Sequence, residues 1–84
     1  DYESLVNLYA RIDEIGKMIE FQEKIVELEA TPERLFVLAE FYAKAGFEEK
    51  ALQAARSATE LNSSYTKQFD TFVTDLKAGE FQKK

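Results

Sequence analysis

Apolar residues recur along this chain at spacings of three and four in five successive blocks, the periodicity of helices that bury one face. Tyr2, Leu5, Val6, Tyr9 and Ile12 share a face in the first block, and Met18, Phe21, Ile25 and Leu28 do so in the second. A third block carries Leu35, Leu38, Ala39, Tyr42 and Ala45, and a fourth Ala51, Ala55, Ala58 and Leu61. Tyr65, Phe69, Phe72, Val73 and Leu76 make the fifth. One proline and three glycines punctuate the sequence, each where a helix can start or stop, so the fold class is all-α. Thr31 before Pro32 predicts an N-cap with proline at the first helical position, and Glu33 suits the positive end of the helix dipole. Gly46 is placed to end that helix, Asn62 to Ser64 to end the next, and Gly79 to end the last. The first turn is expected near Asp13 to Gly16. The fifth helix is expected over 64–78, and residues 79–84 as a frayed tail in which Phe81 is the residue able to fold back.

The blocks are not independent. Sliding the chain by 33 residues lays Leu5 on Leu38, Leu8 on Phe41, Tyr9 on Tyr42, Ala10 on Ala43, Lys17 on Lys50, Glu27 on Glu60 and Leu28 on Leu61. Such a period, with apolar matches at helical spacing inside it, predicts stacked helical hairpins. The expected plan is one domain over 1–78, with repeat 1 at about 1–30, repeat 2 at about 31–63 and a capping helix at about 64–78. Alanines on the fourth block permit close approach of its partner helix. Met18 and Ile25 stand where the second repeat has Ala51 and Ala58, so the first hairpin is expected to close less tightly.

With 84 residues only one small core fits, and 45% hydrophobic against 32% charged residues is a composition that folds. Sixteen acidic and eleven basic residues give a net charge of −5, and the basic ones are scattered, which argues against nucleic acid as a partner. Cysteine and histidine are absent, which removes the usual thiolate and imidazole nucleophiles, bases and metal ligands. An enzyme is not expected, nor a cofactor or a metal. No run approaches the roughly 20 apolar residues that span a bilayer, so direct membrane insertion by this segment is not expected either. Opening at Asp1 with helical pattern almost at once, the sequence reads as a segment of a longer protein, and its compartment stays open.

The stretch from Leu35 to Leu61, LFVLAEFYAKAGFEEKALQAARSATEL, resembles the tetratricopeptide repeat (TPR). Leu38 and Ala39 stand at that family's Leu-Gly pair, Tyr42 at its aromatic position, Gly46 at the turn, and Ala51, Ala58 and Leu61 in the second helix. Ala55 replaces the usual aromatic, Phe47 a usual polar residue, and Ser63 the usual proline. The resemblance implies a right-handed α-α superhelix of one good and one degenerate repeat, followed by the capping helix. It also implies a non-catalytic scaffold that binds a peptide or helix of a partner protein along a concave face lined by the first helices.

Carried over residue by residue, that face holds Glu3, Asn7 and Arg11, then Phe36, Val37, Glu40 and Lys44, then Asp70, Thr74 and Lys77. Phe36 and Val37 fall off the Leu35, Leu38, Tyr42 stripe and are expected as apolar anchors in a polar-rimmed groove. The plainer reading is that they pack between adjacent first helices. A clamp for a terminal carboxylate is not supported, because Asn7 fits one position but Glu3 and Val37 stand where cationic and amide groups belong. Arg11 and Lys44 could each hold an acidic ligand side chain, or simply suit the negative ends of their helices. Asp13 with Glu14 and Glu48 with Glu49 are adjacent, and adjacent residues on a helix do not face each other, so neither pair is expected to bind metal. A second use is self-assembly: an open end around Tyr2, Leu5 and the first hairpin could bury itself against a second copy or a preceding repeat of a larger, possibly membrane-anchored protein.

Overall fold

The computed structural model describes residues 1–82 and is all-α. In chain order the helices are α1 (Tyr2–Arg11), α2 (Ile15–Leu28), α3 (Pro32–Lys44), α4 (Glu48–Leu61) and α5 (Thr66–Lys77), with 3-10 turns at Ser63–Tyr65 and Glu80–Gln82. Consecutive helices pair: α1 packs on α2, α2 on α3, α3 on α4 and α4 on α5. Lys83 and Lys84, the end of the expected tail, lie outside the described residues. No helix among the described residues is long and apolar enough to cross a membrane.

Local chemistry sets the helix starts. The Asp1 carboxylate accepts from the Ser4 N–H at 2.8 Å, and Thr31 Oγ1 accepts from the Arg34 N–H at 3.1 Å, each occupying a donor that the first turn leaves unpaired. Pro32 follows Thr31 as the first helical residue. The two hairpin turns are then built alike, 33 residues apart. The Glu14 N–H donates to the Tyr9 carbonyl at 2.9 Å, and the Phe47 N–H donates to the Tyr42 carbonyl at 2.8 Å. Both turns need a left-handed residue, Gly46 at φ 88° in one and Asp13 at φ 58° in the other, and an aspartate tolerates that region less easily than a glycine. Gly16, expected in the first turn, lies instead within α2.

The second hairpin is the tighter. Ala39, Ala51, Ala55 and Ala58 are fully buried, so α3 and α4 approach until their backbones are separated by little more than methyl groups. Six residues of α3 are buried, whereas α1 buries only Val6. The larger Met18 and Ile25 occupy the positions of Ala51 and Ala58, and Ala10 is exposed where its counterpart Ala43 is buried. Stacking of Tyr2 and Tyr9 on Phe21, at 5.9 and 5.8 Å between ring centres, carries much of the α1–α2 contact.

Three apolar residues assigned to inner faces are not inside. Leu28 and Leu61 are exposed because they sit at helix ends, past the reach of the partner helix, and Ile12, the C-cap of α1, is exposed on a side of α1 that no described helix covers. The expected fraying also needs correction. After Gly79 the chain turns back, Phe81 packs on Phe72 at 5.1 Å between ring centres, and the Gln82 amide donates to the carbonyls of Ala43 and Lys44. Those carbonyls lie in the last turn of α3; Ala43 also accepts from the Gly46 N–H, and the Gln82 amide adds a capping donor for both.

Tyr42 is buried, and its hydroxyl donates to the Glu23 carboxylate, tying α3 to α2. Burial first, and then that hydrogen bond, hold its phenol well above the ordinary tyrosine value. A folded-state value above the unfolded one means that the folded chain keeps a proton which the unfolded chain loses. This contribution is therefore complete below about pH 10 and is lost as the pH rises beyond it. Tyr42→Phe is expected to cost about 1–2 kcal/mol near neutral pH. Urea midpoints measured between about pH 9 and about pH 11 should then fall less steeply for the variant than for the wild type. Parallel slopes would mean that Tyr42 does not hold its proton in the fold.

Candidate functional site

A groove of about 260 Å³ opens between α1 and α3. Glu3, Val6 and Asn7 form the α1 wall, Gln22 and Ile25 of α2 the floor, and Glu33, Arg34, Val37 and Phe41 the α3 wall. The apolar part is Val6, Ile25, Val37 and Phe41, and the polar groups stand around it. Gln22 is the buried polar side chain of the core, its amide donating to the Arg34 carbonyl at 3.1 Å. Arg34 links three segments: its guanidinium lies 3.1 Å from the Glu29 carboxylate and 3.5 Å from that of Glu3, and donates to the Glu29 carbonyl at 3.0 Å. These ion pairs are partly solvated, so they fix the orientation of Arg34 more than they stabilise the fold. At the edge of the groove, Glu33 accepts from the Tyr65 hydroxyl at 2.7 Å, which holds the carboxyl below its usual range and raises the phenol.

A second groove lies between α3 and α5, lined by Phe36, Glu40, Gln68, Thr71, Phe72, Asp75 and Phe81. The two are related by the repeat. Glu3 and Asn7 become Phe36 and Glu40 after 33 residues, and Arg34, Val37 and Phe41 become Gln68, Thr71 and Asp75 after 34. Each first helix thus shows one side to its predecessor and another to its successor.

That geometry sorts the expected site residues. Asn7 and Val37 meet across the first groove, and Val37 is 38% exposed. Glu40 borders the second groove. Arg11 lies outside both, beside Ser4, Asn7 and Leu8, and Lys44 is exposed in the last turn of α3. Asp70, Thr74 and Lys77 are exposed on α5 and do not line the groove against α3; Thr74 Oγ1 donates to the Asp70 carbonyl within the helix. Asp70 and Thr74 repeat Phe36 and Glu40, the side that a first helix turns toward its successor, so on α5 they face outward.

Phe36 requires the main correction. Its ring is 3% exposed, stacked on Tyr65 at 5.8 Å and edge-on to Phe72 at 6.3 Å, so it packs into the wall of the second groove instead of standing free as an anchor. Val6, Gln22, Ile25, Arg34 and Phe41 were not expected at a site. Helical spacing marks most of them simply as core, and Gln22 alone, polar on an apolar face, carried a signal. Among the described residues no three acidic side chains converge as a metal site. Comparison with protein-family models, curated proteins and solved structures gives no match.

Proposed function

We propose that this chain is a non-catalytic, TPR-like scaffold that holds a peptide or helix of a partner protein in the groove between α1 and α3. The observation that carries the reading is the chemistry of the lining of that groove. Val6, Ile25, Val37 and Phe41 give it apolar surface, and Glu3, Asn7, Gln22, Glu33 and Arg34 set polar groups around them. Apolar ground inside a polar rim is the composition of a recognition surface, with the rim groups fixing orientation. On this reading the two hairpins and α5 form a short right-handed superhelix whose concave side runs along the first helices. The repeated turn hydrogen bonds and the repeated groove register support it. A sequence without histidine or cysteine favours binding over catalysis.

The test selects peptides from a random displayed library on the folded chain and measures their affinity for Val37→Glu. A carboxylate in the apolar floor is expected to weaken binding by at least about tenfold. The thermal midpoint should hold, because Val37 is exposed. Selected peptides that bind the variant equally well, or a library that yields none, would count against the groove.

A further inference from the structure

The side of α3 that faces α2 is marked by the Gln22 bond to Arg34 and by Phe41 beside Gln22 and Ile25; Leu38 and Ala45 share it by helical spacing. Their counterparts on α1, 33 residues earlier, are Asp1, Leu5, Leu8 and Ile12. In α3 this side is covered by a helix. In α1 it is not: Leu8 is 51% and Ile12 60% exposed, and Leu5 is half-buried. Leu5, Leu8 and Ile12 follow one another at intervals of three and four, the spacing of a helix–helix seam. The fold thus shows by its own repeat that this stripe is built to be covered by a helix.

From these observations we infer that the outer face of α1 pairs with α1 of a second copy of this chain, in a twofold, antiparallel contact. Among the described residues, the outer side of α5 offers no apolar stripe to match it. There α5 turns Thr66, Lys67, Asp70, Thr74 and Lys77 to solvent, so a head-to-tail contact would set the stripe against a polar face, and a second α1 stripe is the better match. Antiparallel pairing sets Leu8 near Leu8 and Ile12 near Leu5 of the second copy, and brings Arg11 toward the end that carries Asp1. Glu3, Val6 and Asn7 lie on the other side of α1, so both grooves stay open and the pair is bivalent. A ten-residue helix is about 15 Å long. Two such helices bury less than the roughly 1,200 Å² of a stable interface, so the dimer is weak and reversible.

Sedimentation of the whole chain from about 10 µM to about 1 mM covers that range of affinity. The weight-average mass should climb from 9.7 kDa to at most the dimer mass. Leu8→Glu and Leu8→Lys should each stay monomeric with unchanged circular dichroism, and an equimolar mixture of the two should regain the dimer. Three results would overturn the inference: a monomeric wild type at 1 mM, association that survives Leu8→Glu, or growth beyond two copies. If either Leu8 variant loses helicity, Ile12→Glu and Ile12→Lys, at the most exposed position of the stripe, repeat the comparison.

Discussion

Phe36→Ala is expected to destabilise the fold by about 3–5 kcal/mol, the cost of emptying a buried aromatic site. Domains of ordinary stability have only about 5–15 kcal/mol to lose, and a chain this short stands near the lower end, so a large part of the variant should be unfolded near physiological temperature. The loss has a direction. Tyr65 and Phe72, the rings against Phe36, belong to the segment that closes α5 over the second hairpin, so amide protection in α5 should fall first, ahead of α3 and α4. Val37→Ala, one residue along, removes an exposed side chain and should stay within about 0.5 kcal/mol of the wild type. Urea midpoints for the pair make the comparison. Equal midpoints would return Phe36 to the surface and restore it as a candidate anchor.

The contrast between Phe36 and Val37 shows what a repeat conveys and what it withholds. Periodicity placed both off the main stripe, and the 33-residue offset set Phe36 opposite Glu3, but neither says which side of a first helix meets the helix before it and which the helix after. That sense of direction comes only with stacking. Once it is known, Phe36 belongs to the side facing α5, and Asp70 and Thr74, its α5 equivalents with those of Glu40, have no described helix to face. Residues whose signal was local were legible: Thr31 and Pro32 start α3, Gly46 turns the second hairpin, and the alanines of α4 lie in the contact. Residues whose burial depends on how far a partner extends were not. Leu28 and Leu61 continue the spacing of their helices beyond the point where anything covers them. The return of Phe81 and Gln82 was legible only in part, since three residues of 3-10 turn carry no periodicity and the amide that caps α3 is specified by position alone.

The groove followed the same logic. Asn7 and Val37 follow from carrying the concave face of the resembled repeat onto α1 and α3, whereas the floor they overlook is made of residues that look like ordinary core. Val6 and Ile25 are buried in the ordinary sense, yet they border open space because α1 stands back from α3. The larger residues of the first hairpin bear on this. Met18 and Ile25 occupy places that are alanine in the second, and Ile25 borders the groove.

Ala58→Phe tests the packing of the second hairpin directly. Ala58 is fully buried in the contact between α3 and α4, and its counterpart in the first hairpin is Ile25. A phenyl ring there has no space in a rotamer that leaves the helices in place, so it must push α4 away from α3, at a cost of about 1–3 kcal/mol or more. Ile25→Ala removes volume where the helices are already held apart and should cost about 2–5 kcal/mol, because neighbours that stand off collapse only partly into the cavity. The signs of the accompanying changes differ. Overpacking at Ala58 should loosen the second hairpin and raise amide exchange along α4 without touching the groove, whereas Ile25→Ala should deepen the groove floor and weaken the peptides selected on it. Unchanged urea midpoints for Ala58→Phe would place that methyl group in solvent and dissolve the 33-residue register on which both hairpins, both grooves and the α1 stripe are aligned.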